Sequence, residues 1–153
     1  MVTPGAYPGS VAREQDQGAT PPVSEAGDEF ELRLAARAEE LHKLRHALSA
    51  WLARHGVPPE VVAEVALATH EAAANVVEHA YRDGTGSFVV RARRDDEDLL
   101  VAVQDEGHWR TPSRTDQRGR GLTIMRSLTD EVVISPTGSG TTVMLRRRIA
   151  PTG

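Results

Sequence analysis

The chain has no cysteine, which excludes a disulfide framework, a thiolate nucleophile and a zinc site built on sulfur. Any metal must be held by oxygen or imidazole. Aromatic residues are scarce at 4%, so the core is expected to be built from Val, Leu and Ala. There is no basic excess: the formal net charge is −4, which argues against a nucleic-acid surface, because neutralising phosphates takes clustered Lys and Arg. No stretch approaches the roughly 20 apolar residues of a membrane span, and the N-terminus lacks a basic segment followed by an apolar run. A cytoplasmic chain is expected, with a protein or small-molecule partner and no direct contact with nucleic acid or membrane. At 153 residues it has room for a single domain.

Residues 1–28 are rich in Gly, Pro, Ser, Glu and Gln and poor in large apolar side chains, which predicts a disordered tail. The domain is expected over 29–150. Phe30, Leu32 and Leu34 alternate with charges as in a half-buried edge strand. Leu41, Leu44, Leu48, Trp51 and Leu52 mark a helix from Glu39 to His55, stopped by Gly56. His42 and His46 on this helix lack the sequence context of a phospho-accepting histidine and are read as solvated surface residues. A second helix is predicted from the Pro58–Pro59 pair to about Tyr81. Two strands, Ser87–Arg94 and Leu99–Asp105, form a hairpin, followed by a loop over Glu106–Arg118. A short glycine-led helix over Gly119–Leu128 and a strand pair, Glu131–Ser135 with Thr141–Arg148, complete the order. The implied class is α+β, a two-layer α/β sandwich with a mostly antiparallel sheet and helices on one face, charge lying on the other.

Four segments carry chemistry. On the second helix, Val61, Val65, Ala68, Ala72 and Val76 form the core stripe, while Glu71 and Asn75, four apart, stack at its edge. A carboxylate beside a carboxamide suits Mg²⁺ and proton abstraction from a hydroxyl, although an ordinary wet helix flank has the same composition. Asp105 ends a strand in phase with Val101 and Val103 and points toward the helices, where a carboxylate needs donors; an exocyclic amine is one, and Gly107 lets a base approach the backbone. A plain turn after a strand also fits. Gly119, Arg120, Gly121 and Leu122 open a helix whose free amides, with Arg118 and Arg120, suit phosphate, as they would suit a hinge. Thr141 is in phase with Val143 and Leu145, facing the same layer as Asp105.

Taken together, Glu71-x-x-x-Asn75, Asp105-x-Gly107, Gly119-x-Gly121-Leu122 and Gly138-x-Gly140-Thr141-Thr142 resemble the motif set of the ATPase fold shared by histidine kinases, gyrase and mismatch-repair ATPases (the Bergerat fold). The resemblance covers residues from about 30 to 148. The small size, the run Gly121-Leu122-Thr123-Ile124-Met125 and the following Leu128-Thr129-Asp130 are similar to the anti-sigma-factor serine kinases of the RsbW type. The resemblance implies ATP and Mg²⁺ as cofactors, with a sigma factor and a STAS-type anti-anti-sigma protein as partners. It leaves homodimerisation open. It further implies that Glu71 is the general base, Asn75 the Mg²⁺ ligand and Asp105 the acceptor of the adenine amine supported by Thr141. Gly107 would admit the base; Gly119, Arg120, Gly121 and Leu122 would surround the phosphates. Trp109 stands where the family often has a second glycine. A non-catalytic binding module of the same fold and a detached histidine-kinase catalytic domain remain as alternative readings.

Overall fold

The computed structural model describes residues 29–80, 86–105, 116–137 and 140–149. The tail over 1–28, and Gly107 and Trp109, lie outside the described residues. Strand β1 (Glu29–Ala35) leads into helix α1 (Ala38–Arg54) and helix α2 (Pro59–Asn75), which continues as a π-turn over Val76–Ala80. Strands β2 (Ser87–Asp95) and β3 (Asp98–Asp105) form a hairpin; helix α3 (Asp116–Leu128) and strands β4 (Glu131–Thr137) and β5 (Gly140–Arg148) follow. The sheet order is β1-β2-β3-β5-β4, and every strand pair is antiparallel. This is the expected two-layer class, with β1 at one edge.

Period-two alternation sends Phe30, Leu32, Leu34, Phe88, Val90, Ala92, Leu99, Val101, Val103, Val143 and Leu145 to one face, where they are buried. The three helices cover that face, α2 lying between α1 and α3 and across β3 and β5. The core is mostly aliphatic. Its largest fully buried side chains are nevertheless Trp51, Phe30 and Phe88, so the aromatics among the described residues are concentrated where bulk is needed. Trp51 packs against Phe30 at 5.8 Å between ring centroids and stacks on His55 at 4.3 Å. That cluster ties α1 to β1.

Two expectations are corrected, on the placement of charge and on the end of β4. Charge is not confined to the outer face: Arg94 and Arg147 occupy inner-face positions at the end of the sheet away from Asp105. There Arg94 donates to the His55 carbonyl and Arg147 pairs with Glu64 of α2, so each guanidinium finds an acceptor at the rim. Nor is the outer face wholly polar, since Val89 and Ala102 are 1% and 3% exposed there; Arg91, which faces Ala102 across the ladder, reaches Gln104 and Glu31 and arches over this floor. Finally, β4 runs through Pro136 to Thr137 instead of stopping at Ser135. As an edge strand paired to β5 alone, it can accept a residue without an N–H.

Candidate functional site

Helix α2 starts with Pro59 in its first turn. Its predicted stripe is buried throughout, from Val61 at 6% exposed through Val65, Ala68 and Ala72 to Val76 at 2%. With the stripe against the sheet, Glu71 and Asn75 fall half-buried on the flank that meets α3. The contact there is close. A Cβ built on Gly121 would lie 3.4 Å from Asn75 Nδ2, 3.6 Å from Asn75 Oδ1 and 3.5 Å from Glu71 Oε1. The structure therefore brings the carboxylate, the carboxamide and the second glycine of the pair to one place. A side chain at Gly121 would stand over both polar groups.

Directly after Asn75 the helix changes from α to π winding over Val76–Ala80. The second helix was expected to run on to about Tyr81; helical winding does reach Ala80, but in this wider form. Such single π-turns recur at functional sites because they re-aim the side chains that follow.

The second half of the site is on the sheet. Asp105 is the last residue of β3 and only 1% exposed; Thr141 near the start of β5 is 3% exposed. The β3–β5 register runs through Val103 opposite Val143 and Gln104 opposite Thr142, so the next step sets Thr141 beside Asp105. Both face the helical layer. The Thr141 hydroxyl is buried with no hydrogen-bond partner among the described residues. A buried hydroxyl in that state is costly unless something else supplies the partner. An exocyclic amine or ring nitrogen, with Asp105 as acceptor, is a chemical match.

The glycine pair is placed differently from expectation. The spacing predicts a helix opening at Gly119, whereas α3 begins three residues earlier at Asp116. Gly119 therefore falls within the first turn, and Gly121 and Leu122 in the second. Of these, Gly121 is buried and Leu122 half-buried against the core. The free amides of the first turn belong to residues 116–119, so an anion site at the helix start involves the backbone at Gly119, while Gly121 acts through closeness of approach. Arg120 lies in the same helix. At the other end, Thr129 Oγ1 donates to the Met125 carbonyl at 2.7 Å, and Asp130 exchanges bonds with β5 through the Arg146 carbonyl and the Arg148 amide. The Leu128-Thr129-Asp130 run thus fixes α3 to the closing strand.

His70, next to Glu71, drew no attention in the sequence. Burial, then the charge of Arg45 on α1, hold its imidazole below the ordinary value, with Glu71 opposing. The signal comes from α1–α2 packing, which no spacing rule along one helix contains.

An antiparallel sheet covered on one face by three helices, with an acid and a threonine at the strand ends and a carboxylate and amide where two helices meet, defines an ATPase-type nucleotide domain. A family model described as the histidine kinase-like ATPase domain matches residues 34–147, and the chain belongs to that family. The serine-protein kinase RsbW of Bacillus subtilis (strain 168) is 31% identical over 137 residues, spanning 78% of this chain and 85% of the relative. The anti-sigma F factor of Geobacillus thermodenitrificans (strain NG80-2) is 28% identical over 137 residues, spanning 80% of this chain and 94% of the relative. Among solved structures, the RsbU and RsbW domains of a Mycobacterium tuberculosis protein match with a TM-score of 0.63 and 27% identity, over 78% of this chain and 32% of that larger one. Within the family, the chain falls in this anti-sigma, serine-kinase group. No helix among the described residues is long and apolar enough to cross a membrane.

Proposed function

We propose that the chain is an ATP-dependent anti-sigma factor that binds a sigma factor and phosphorylates a serine of its STAS-type antagonist in the cytoplasm. The observation that carries this reading is the meeting of Glu71, Asn75 and Gly121. It assembles a base, a hard oxygen donor and a position without a side chain at one point.

The residues fit the group they would hold. The Asn75 carboxamide oxygen suits Mg²⁺, which favours oxygen ligands and retains waters. Asp105 would accept the adenine amine, and the buried Thr141 hydroxyl, without a partner among the described residues, would gain one. The backbone at Gly119 and the bare Gly121 would hold the phosphates, with Arg120 and Leu122 on the same helix; the role expected of Gly107 in admitting the base falls outside the described residues. When bound, Mg-ATP supplies an activated γ-phosphoryl group. Glu71 would take the proton of the antagonist's serine hydroxyl as that oxygen receives the γ-phosphoryl group, with ADP as the leaving group. Phosphorylated antagonist would then release its grip on this chain, freeing it for the sigma factor.

The test is transfer of phosphate from Mg-ATP to the purified antagonist. An acid-stable phosphoserine is expected, and Glu71→Gln should lower the rate by about 10²–10⁴-fold, the usual contribution of a positioned base, while ATP still binds. An acid-labile product would instead indicate a detached histidine-kinase domain. Partner capture indifferent to both ATP and Glu71→Gln would leave a binding module.

A further inference from the structure

His42 and His46 are both exposed on α1, four residues apart within the regular helix Ala38–Arg54. Residues at this spacing sit one above the other on a helix face, about 5–6 Å between Cβ atoms. Two imidazoles so placed can direct ring nitrogens at a common point, the arrangement by which a His-x-x-x-His helix presents two ligands to zinc. We infer that His42 and His46 form a two-imidazole chelate for a borderline divalent cation of the Zn²⁺ or Ni²⁺ class.

This site is separate from the Mg²⁺ position in both place and chemistry. Asn75 offers amide oxygen on α2, beside α3; the pair on α1 offers only nitrogen, which Mg²⁺ disfavours and the later first-row metals prefer. Among the described residues no group of three His, Cys, Asp or Glu is set to hold a metal. The chelate therefore has two protein ligands, with the remaining positions open to water. The nearby charges do not complete it: exposed Arg45 adds a positive charge beside the pair, which exposed Glu39 opposes. Lys43 is drawn toward Glu40, at 3.4 Å, while Glu39, one turn before His42, is exposed on the same face and adds a negative charge within reach of the cation. An open pair of this kind binds metal without closing the coordination sphere, so a donor from another molecule can enter it.

The experiment is calorimetric titration of the full chain, free of any histidine tag and of nucleotide, with NiCl₂, ZnCl₂ and, as a contrast, MgCl₂. One equivalent of Ni²⁺ or Zn²⁺ should bind, and Mg²⁺ should not compete. Loss of a group behind a metal ligand already costs about 10–100-fold in affinity, so His42→Ala and His46→Ala should each lose at least about tenfold, and Asn75→Ala nothing. A double variant, His46→Ala with Ala50→His, restores the histidine count at another exposed position but sets the second imidazole more than two turns from His42; it should bind as weakly as His46→Ala. Both positions are exposed, so each variant should melt with wild type in the absence of metal. Unchanged affinity in the single variants, or full recovery in the shifted pair, would overturn the chelate and assign the metal to other histidines.

Discussion

Two residues near the site, Gly121 at the α2–α3 contact and His70 at the α1–α2 contact, can each be tested alone. Gly121 lies inside α3, where alanine is favoured over glycine by about 0.8–1 kcal/mol. A methyl there meets Asn75 and Glu71 at ordinary contact distances of 3.4–3.6 Å, so Gly121→Ala should fold as well as wild type or slightly better in urea. The same methyl stands over the two polar groups, and ATP affinity measured by calorimetry should fall about tenfold, or about 1.4 kcal/mol. Unaltered affinity would show that the glycine is there for packing alone. His70 gives a pH signature. Its folded value is lowered by burial and Arg45, so the unfolded chain takes up a proton first as pH falls. Stability is full above the unfolded value of about 6.5 and declines as pH drops from there through the folded value. His70→Gln should flatten that decline between pH 7.5 and 5.5 in denaturant titrations, and a parallel slope in both proteins would place the acid sensitivity elsewhere.

Helix α1 is stopped by chemistry that can be read almost completely from its residues. The Gly56 amide bonds to the Ala53 carbonyl and the Val57 amide to the Leu52 carbonyl, with Gly56 at φ +78 and Val57 and Leu52 both buried, which is a Schellman closure. Arg94 from β2 adds a bond to the half-buried His55 carbonyl, and a Cβ on Gly56 would come within 3.2 Å of its Nη1. Left-handed backbone costs a side chain about 1–2 kcal/mol, so Gly56→Ala should lower stability by that amount or slightly more, as an equilibrium urea midpoint would show. The helix stop, the α2 core stripe and the strand phases were legible because each depends on periodicity or on one special backbone angle. Other features depend on tertiary partners and left no such mark. The early start of α3 lies in Asp116–Arg118, which carry no apolar period; the π-turn follows residues that suit ordinary α winding; and the acceptors of Arg94 and Arg147 come from distant elements. At the site the types and order of residues were plain. Their convergence needed the packing of α3 on α2, which Gly121 makes close.

For the molecule as a whole, the helices are not equally anchored. Helix α1 is fixed to β1 through Trp51 and Phe30 and to β2 through Arg94, and α2 crosses β3 and β5. Helix α3 rests mainly on α2, with Met125 in the core and the Thr129–Asp130 bonds holding its far end. A ligand gripped by Glu71 and Asn75 on one side and by the start of α3 on the other would join α2 to the helix that rests mainly on it. Binding to the folded state alone stabilises it by about 2.7 kcal/mol at a hundredfold excess over Kd, so Mg-ATP should raise the melting temperature by several degrees. The gain should be local before it is global: amide exchange in α3 should slow more than in α1, whose contacts the ligand does not touch. Asn75→Ala should remove both the Mg-dependent rise in melting temperature and the added protection of α3. Uniform protection across all three helices, or an equal rise in the variant, would place the ligand away from the α2–α3 junction.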